Sequence, residues 1–213
     1  SPWYVGDTMT GLEKKYGKNR VIDSPVSENA TTGAALGAAL TGLRPMVVHP
    51  RMDFMVLATD AIVNQSAKWQ SMLGGNKKIP LTIRGIINRG GEQGAQHSQA
   101  LHSWYAHVPG LRVILPSSPL DARDLLIASV LSDDPVIYID DRWCYDYKED
   151  YRKIRELSIE SLKPKRISKG SGVAESDIRE LIKQYRTAKK MMKMMKGKDP
   201  EKMMKKMGKF KLK

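Results

Sequence analysis

The sequence has few of the features that mark secreted or membrane proteins. Its single cysteine, Cys144, excludes an intrachain disulfide and is typical of a reducing compartment. The first residues have neither the basic nor the apolar segment of a signal peptide. No apolar run reaches the roughly 18 residues that a membrane-spanning helix needs. These absences predict a cytoplasmic protein without a transmembrane segment.

Acidic residues become scarce in the last part of the chain. Residues 1–150 carry 15 Lys and Arg against 16 Asp and Glu, a net charge of −1. Residues 151–213 carry 21 against 7, a net charge of +14, and seven of the twelve methionines follow residue 190. We therefore predict two domains, residues 1–150 and 151–213, of which the second attracts phosphate groups.

Short apolar segments alternate with helical patterns in residues 1–150. Such alternation predicts an α/β domain with a parallel sheet covered on both faces. The predicted strands are Val21–Asp23, Met46–His49, Ile79–Ile83, Arg112–Leu115 and Val136–Ile139. The main predicted helices are one that begins near Glu28, one over Ala58–Met72 and one over Pro119–Leu131. A polar, glycine-rich loop is predicted over Arg84–Gln96.

The segment Asp23–Ala39 places a carboxylate where a strand is predicted to turn into a helix. Ser27 can cap that helix, and Glu28 begins it. Gly33 and Gly37 leave one face of the helix bare, which suits close approach of a backbone or a ligand. Open α/β sheets bind ligands at such junctions. The alternative is that Glu28 only complements the positive end of the helix dipole.

Several motifs occur in the order and spacing of one family. They are SPVSE at Ser24–Glu28, GLRP at Gly42–Pro45, Phe54, QHSQ at Gln96–Gln99 and WYAHVPGL at Trp104–Leu111. On these motifs, residues 1–150 resemble the β subunit of the thiamine diphosphate-dependent 2-oxo acid dehydrogenases of the pyruvate dehydrogenase type. The resemblance implies a three-layer α/β fold, the transketolase-like pyrimidine-binding domain.

The resemblance also implies roles for three residues. The glutamate matching Glu28 hydrogen-bonds a ring nitrogen of the cofactor's aminopyrimidine and so helps to generate the nucleophilic carbon. Phe54 matches the aromatic residue that stacks on the pyrimidine, and His97 matches the active-site histidine that assists substrate and intermediate. Taken singly, Phe54 is more typical of a core residue and His97 of a structural or solvated one.

Two departures from the family bear on this site. Asn88–Gly94 reads NRGGEQG where the family is richer in Ala and Gly, so Arg89 and Glu92 are expected to alter the site. The Gly-Asp-Gly element that holds Mg²⁺ and the diphosphate belongs to the α subunit in this family. The resemblance therefore implies an α-type partner that carries Mg²⁺ and shares the thiamine diphosphate, and the chain alone is not expected to be active.

The second domain has a resemblance of its own. RISKGSG at Arg166–Gly172 and DIRELIKQY at Asp177–Tyr185 are similar to the end of the M domain of the signal recognition particle's signal-sequence-binding subunit, over Ser158–Lys213. This implies a small all-α helix–turn–helix module, with a Met- and Lys-rich helical tail, that binds the particle's RNA. The implied RNA-binding residues are Lys163, Lys165, Arg166, Lys169, Gly170, Ser171 and Gly172.

The methionine-rich tail and the pairing of the two domains leave alternatives open. The apolar side of Met191–Met207 suits a signal peptide, a membrane surface or a partner helix. The first reading of the whole chain is a dehydrogenase β-subunit-like half-site fused to an RNA-binding segment. The alternatives are an RNA-binding protein-targeting module with a non-catalytic α/β domain, and an artificial or rearranged fusion.

Overall fold

The computed structural model describes residues 8–89 and 92–150, together with Leu157 and Lys183. It divides the chain into two compact units, Ser1–Leu162 and Lys163–Lys213. The predicted helix–turn–helix, the seven predicted RNA-binding residues and the methionine-rich tail lie outside the described residues.

The described part of the first unit alternates strands with helices, as the sequence predicts. Its helices are α1 (Leu12–Tyr16), α2 (Glu28–Leu40), α3 (Ala67–Met72), α4 (His102–Ala106) and α5 (Pro119–Leu131). Its strands are β1 (Met46–His49), β2 (Thr82–Ile87), β3 (Arg112–Ile114) and β4 (Val136–Asp141). The described residues also form 3-10 helices at Met52–Ala58, Ala95–His97 and Arg142–Asp146. A π-helix runs over Asp60–Ser66.

The four strands form one parallel sheet in the order β1-β2-β4-β3. Neighbouring side chains of β4 enter different cores: Ile137 and Ile139 pack with one, Val136 and Tyr138 with the other. Since successive side chains of a strand point to opposite faces, both faces of the sheet are covered. The predicted parallel, three-layer α/β fold is confirmed.

The larger core lies between one sheet face and the segments from α2 to the π-helix. Leu36 of α2, Met52 and Met55 of the 3-10 helix, and Ile62 of the π-helix pack there against Ile83 of β2. The smaller core lies on the other face, where α5 contributes Leu125 and Ala128. Because β1, β2 and β4 are neighbours in the parallel sheet, their carboxyl ends lie side by side.

The predicted strand Val21–Asp23 is wrong. This triplet is not part of the sheet, and Ile22 is 76% exposed. A β-favouring triplet forms a strand only where a neighbour pairs with it and its apolar side is buried, and the Val21 amide instead donates to the Gly17 carbonyl in a turn. Glu28 therefore follows an exposed connection, and β1 comes after α2.

The third predicted strand is shifted along the chain. Ile79 and Leu81 are fully buried, but Pro80 between them cannot donate to the ladder, and β2 begins at Thr82. The strand continues to Ile87, through part of the predicted loop, because buried Arg84 is paired with Asp140 of β4. Burial raises the pKa of Asp140, and the Arg84 guanidinium opposes that rise.

The predicted helix over Ala58–Met72 is regular only at its end. Residues Asp60–Ser66 are π-helical, and the Ser66 hydroxyl donates to the carbonyl of Ala61, five residues back, at 2.7 Å. Ser27 also departs from its predicted role, because its side chain makes no capping hydrogen bond to α2. The Ser27 carbonyl instead accepts from the Thr31 hydroxyl at 3.0 Å.

The GLRP motif connects distant parts of the fold. Arg44 lies between α2 and β1, and its guanidinium donates to the carbonyls of Val130 and Ser132 at 3.1 and 2.8 Å and to the Asp133 carboxylate. The motif therefore ties the turn before β1 to the end of α5.

Within the described residues, no helix has both the length and the apolarity required to cross a bilayer.

Candidate functional site

Phe54 and His97 are brought together near the carboxyl ends of β1 and β2. Phe54 lies on the 3-10 helix Met52–Ala58, just after β1, and His97 ends the 3-10 turn Ala95–His97, which follows β2. Both side chains are half-buried. Their ring centroids are 5.2 Å apart and the rings are nearly perpendicular, the edge-to-face geometry that aromatic pairs favour.

Glu28 lies at the start of α2, where its half-buried carboxylate interacts electrostatically with His49 at the end of β1. The His49 imidazole is also 3.1 Å from the Thr32 hydroxyl, one helical turn beyond Glu28. Burial lowers the pKa of His49 from 6.5 to about 4, and the Glu28 carboxylate partly offsets this effect. Glu28 thus stands near the strand that leads to Phe54, while a pocket shared by Glu28, Phe54 and His97 stays a prediction.

The lowered pKa of His49 predicts a pH-dependent stability. The unfolded chain, in which this pKa is about 6.5, binds a proton more readily than the folded chain, in which it is about 4. The contribution of neutral His49 to the free energy of unfolding is therefore complete above pH 6.5. It is lost as the pH falls towards 4, and the total loss is about 3 kcal/mol. Urea unfolding at several pH values should show this loss in the parent chain and a smaller loss in His49→Gln.

The exposed His107 provides the control for this experiment. His107→Gln makes the same chemical change at a solvated position and should leave the dependence on pH close to that of the parent. Equal pH dependence in His49→Gln and the parent would contradict the assignment.

A buried amide supports the loop that carries His97. Asn88 follows β2 directly and is 2% exposed. Its Nδ2 donates to the His97 carbonyl at 2.8 Å and to Oε1 of Gln93 at 3.2 Å. Its Oδ1 accepts from Nη1 of Arg142, the first residue after β4, at 3.0 Å. The ends of β2 and β4 are thus joined to the loop through one side chain.

A second buried side chain holds the other end of the QHSQ motif. Oδ1 of Asp53, next to Phe54, accepts from the backbone amide of Gln99 at 3.1 Å and from its Nε2 at 2.8 Å. Asp53 therefore couples the segment of Phe54 to that of His97. Its other oxygen, Oδ2, is buried and has no hydrogen-bond partner among the described residues.

Ion pairs and amide contacts surround this loop. Oε1 of Gln93 accepts from Nε and Nη2 of Arg51 at 3.0 and 2.6 Å. Arg142 pairs with Glu92 at 2.7 Å. Arg89 pairs with Asp146, and its guanidinium also lies over the Trp143 ring, 5.5 Å from the centroid. The residues that depart from the family motif, Arg89 and Glu92, are therefore part of the structure that supports the site.

Asn88, Asp53, Arg51, Gln93 and Arg142 were not identified from the sequence. A usable signal exists for Asn88, because it is a polar residue directly after the apolar end of a strand, where parallel sheets place their sites. Asp53 and Gln99 are 46 residues apart in the chain, so no local sequence pattern predicts their contact.

A cavity of about 180 Å³ opens at the end of β4. It is lined by Pro116, Pro119, Ala122, Asp140, Asp141, Cys144, Tyr145 and Tyr147, none of them a predicted site residue. Burial and the nearby carboxylates of Asp141 and Asp140 raise the pKa of Cys144, so its thiol is a poor nucleophile at neutral pH.

Among residues 8–89 and 92–150, no group of three or more His, Cys, Asp or Glu is placed to hold a metal ion.

The fold agrees with that of a known family. The family model described as transketolase, pyrimidine binding domain, matches residues 5–145, and the chain belongs to that family. A solved structure described as a split gene transketolase, inactive β4 tetramer, superposes with a TM-score of 0.55 over 75% of this chain and 47% of that one, at 17% identity. That likeness bears on the fold.

Its relatives include β subunits of two kinds of enzyme. Acetoin:2,6-dichlorophenolindophenol oxidoreductase subunit beta of Bacillus subtilis (strain 168) is 40% identical over 148 residues, 68% of this chain and 43% of that protein. Pyruvate dehydrogenase E1 component subunit beta-2, mitochondrial, of Oryza sativa subsp. japonica is 44% identical over 135 residues, 63% of this chain and 36% of that protein. The chain thus spans about two-fifths of the length of these curated relatives.

The second part of the chain matches a different model. The family described as signal peptide binding domain matches residues 149–210. This agrees with the resemblance of Ser158–Lys213 to the signal recognition particle subunit.

Proposed function

We propose that residues 1–150 supply the β-subunit-like half of a thiamine diphosphate-dependent 2-oxo acid dehydrogenase site. The observation that carries this proposal is the contact of Phe54 with His97 near the carboxyl edge of the sheet. Two residues 43 positions apart, each matching a functional position of the family, lie in ring contact. The pyrimidine-binding family and the β-subunit relatives support the same function.

The residues present fit the pyrimidine end of this cofactor. Phe54 offers an aromatic face that is half-buried. Glu28 offers a carboxylate for a ring nitrogen. Oδ2 of Asp53, buried beside Phe54 with no partner in the described part of the chain, is an acceptor that a bound group can satisfy. When bound, thiamine diphosphate supplies the carbon nucleophile that adds to a 2-oxo group and accepts the charge released on decarboxylation.

Each of the three residues then has a separate task. Glu28 would exchange a proton with a ring nitrogen of the bound pyrimidine, which a neutral side chain of the same size cannot do. Phe54 orients the pyrimidine by stacking. His97, held beside Phe54, donates a hydrogen bond or a proton to the substrate oxygen atoms.

An α-type dehydrogenase subunit is the proposed partner, because in this family the element that binds Mg²⁺ and the diphosphate belongs to the α subunit. To test this, the purified chain is mixed with an α-type subunit, and association is measured by light scattering. Binding of thiamine diphosphate with Mg²⁺ is measured by calorimetry. We expect cofactor binding and turnover of a 2-oxo acid in the complex and neither in the chain alone. Turnover by the chain alone would contradict the half-site, and failure to associate would contradict the partner.

Residues 151–213 support a second proposed function, recognition of structured RNA of the signal recognition particle. The observations that favour it are the match to the signal peptide binding domain over residues 149–210 and the net charge of +14. Signal peptides are a further proposed ligand of the methionine-rich tail. The two-domain division at residue 150, the fusion of two unrelated functions in one chain and the cytoplasmic location stay predictions.

The predicted turn at Gly170–Gly172 provides the test of RNA recognition. Gly172→Val leaves the charge unchanged but adds a side chain at a position where the resemblance implies close approach of backbone to the RNA. At physiological salt it should lower affinity for signal recognition particle RNA about tenfold and hardly change affinity for a random duplex, as measured by filter binding.

The control removes charge instead of space. Changing Lys205 and Lys206 to alanine should weaken binding of both RNAs and reduce the dependence on salt. If Gly172→Val weakened both RNAs equally, the segment would be a polycation without specificity.

A further inference from the structure

The backbone of His97 is held by the side chain of Asn88, the first residue after β2. The His97 carbonyl accepts from Nδ2 of Asn88 at 2.8 Å, and the same amide nitrogen donates to Oε1 of Gln93 at 3.2 Å. Asn88 is anchored at the end of β2, whose six residues are all buried. Two points of the loop, the His97 carbonyl and the Gln93 side chain, are thus hydrogen-bonded to a residue at the end of a fully buried strand.

Arg142 fixes the orientation of the Asn88 amide. Its Nη1 donates to Oδ1 of Asn88 at 3.0 Å and to Oε2 of Glu92 at 2.7 Å. Because a guanidinium can only donate, the amide oxygen must face Arg142, and the amide nitrogen then faces the His97 carbonyl. Glu92 belongs to the same loop as His97, so Arg142 binds the loop both directly and through Asn88.

We propose that Asn88 is a positioning residue for His97, and that the Arg142–Glu92 ion pair holds Asn88 in the orientation this requires. The catalytic consequence rests on the proposed dehydrogenase function, whereas the positioning of the imidazole against Phe54 does not. The alternative is that Asn88 only stabilises the turn, in which case its loss lowers stability without moving His97 in particular.

The contact of His97 with Phe54 gives a direct readout of position. At 5.2 Å and nearly perpendicular, each ring lies in the magnetic field of the other. The imidazole carbon-bound proton signals of the full chain can be recorded by NMR and those of His97 assigned from their loss in His97→Gln. Their positions in Phe54→Leu mark an imidazole without its aromatic neighbour.

Asn88→Ala should move the His97 signals at least halfway towards their positions in Phe54→Leu. The signals of His107, which is exposed, should stay in place. Arg142→Met should move the His97 signals in the same direction, and it serves as the second variant if Asn88→Ala does not fold. Asn64→Ala is the matched control, because the Asn64 amide donates to the surface carboxylate of Asp60 at 2.9 Å, and it should move none of these signals.

Unchanged His97 signals in folded Asn88→Ala, or in Arg142→Met if the first variant does not fold, would overturn the proposal. A second measurement uses the complex with the α-type subunit. There Asn88→Ala should lower kcat about 10- to 100-fold with little change in KM, because the misplaced group acts in the chemical step. An inactive complex of the parent chain would count against the proposed function alone. An unchanged kcat with moved His97 signals would overturn the catalytic consequence.

Discussion

Glu28→Gln is expected to lower kcat of the reconstituted complex about 100- to 1,000-fold. Glutamine keeps the size of the side chain and one acceptor oxygen but cannot exchange a proton, and general acid–base catalysis contributes this much in enzymes. The half-buried carboxylate lies at the first residue of α2 and interacts with His49, whose pKa of about 4 leaves the imidazole neutral at pH 7. The substitution therefore leaves no buried cation unpaired at that pH. Reduction of an artificial electron acceptor with pyruvate, a 2-oxo acid, as substrate measures the effect.

The control addresses the simpler explanation, that Glu28 only complements the dipole of α2. Glu13 occupies the first turn of α1 in the same way. If the helix dipole were the whole role, Glu28→Gln and Glu13→Gln would each lower the unfolding free energy by about 0.3–1 kcal/mol and leave kcat unchanged. A kcat that falls only in Glu28→Gln supports the catalytic role, and an undiminished kcat in that variant would remove it.

Gly110→Ala is expected to destabilise the folded chain by about 3 kcal/mol or more. Gly110 has a φ of +100°, and a Cβ built on it would lie well inside van der Waals contact of the Ala67 carbonyl oxygen at the start of α3. The obstacle is backbone, so a rotamer change cannot relieve the clash. Thermal unfolding should show a Tm about 10 °C lower than that of the parent chain.

Gly42→Ala separates this clash from backbone strain. Gly42 has nearly the same φ, +98°, but a Cβ there would meet no atom within 4 Å. It should cost about 1 kcal/mol, the price of the left-handed conformation for an alanine. Equal losses of unfolding free energy in the two variants would mean that the packing of Val108–Gly110 against α3 contributes nothing to stability.

The candidate site was only partly predictable. Phe54 and His97 were identified because each falls on a family motif, and the structure places their rings in contact. The side chains that hold His97 were not identified, because their contacts join residues far apart in the chain. Asn88 and Arg142 are 54 residues apart, and their hydrogen bond exists only because β2 and β4 are neighbours in the sheet.

Local signals in the sequence determined those elements whose ends are set by neighbouring residues. Helix α5 runs over Pro119–Leu131 as predicted, because Ser118 accepts from the Asp121 amide and Pro119 occupies the first position. Helix α1 stops at Gly17, which adopts a φ of +82° after its last turn. The alternation of apolar strands and helices was likewise sufficient for a parallel α/β sheet.

Tertiary structure alone decided which β-favouring segments became strands. Val21–Asp23 has the composition of a strand but no neighbour to pair with, so Ile22 stays exposed. Arg84 is a charged residue at the start of the predicted polar loop. It nevertheless lies inside β2, because Asp140 on the adjacent strand pairs with its charge. A strand is stabilised by partners distant in the chain, whereas a helix end is satisfied by residues three or four positions away.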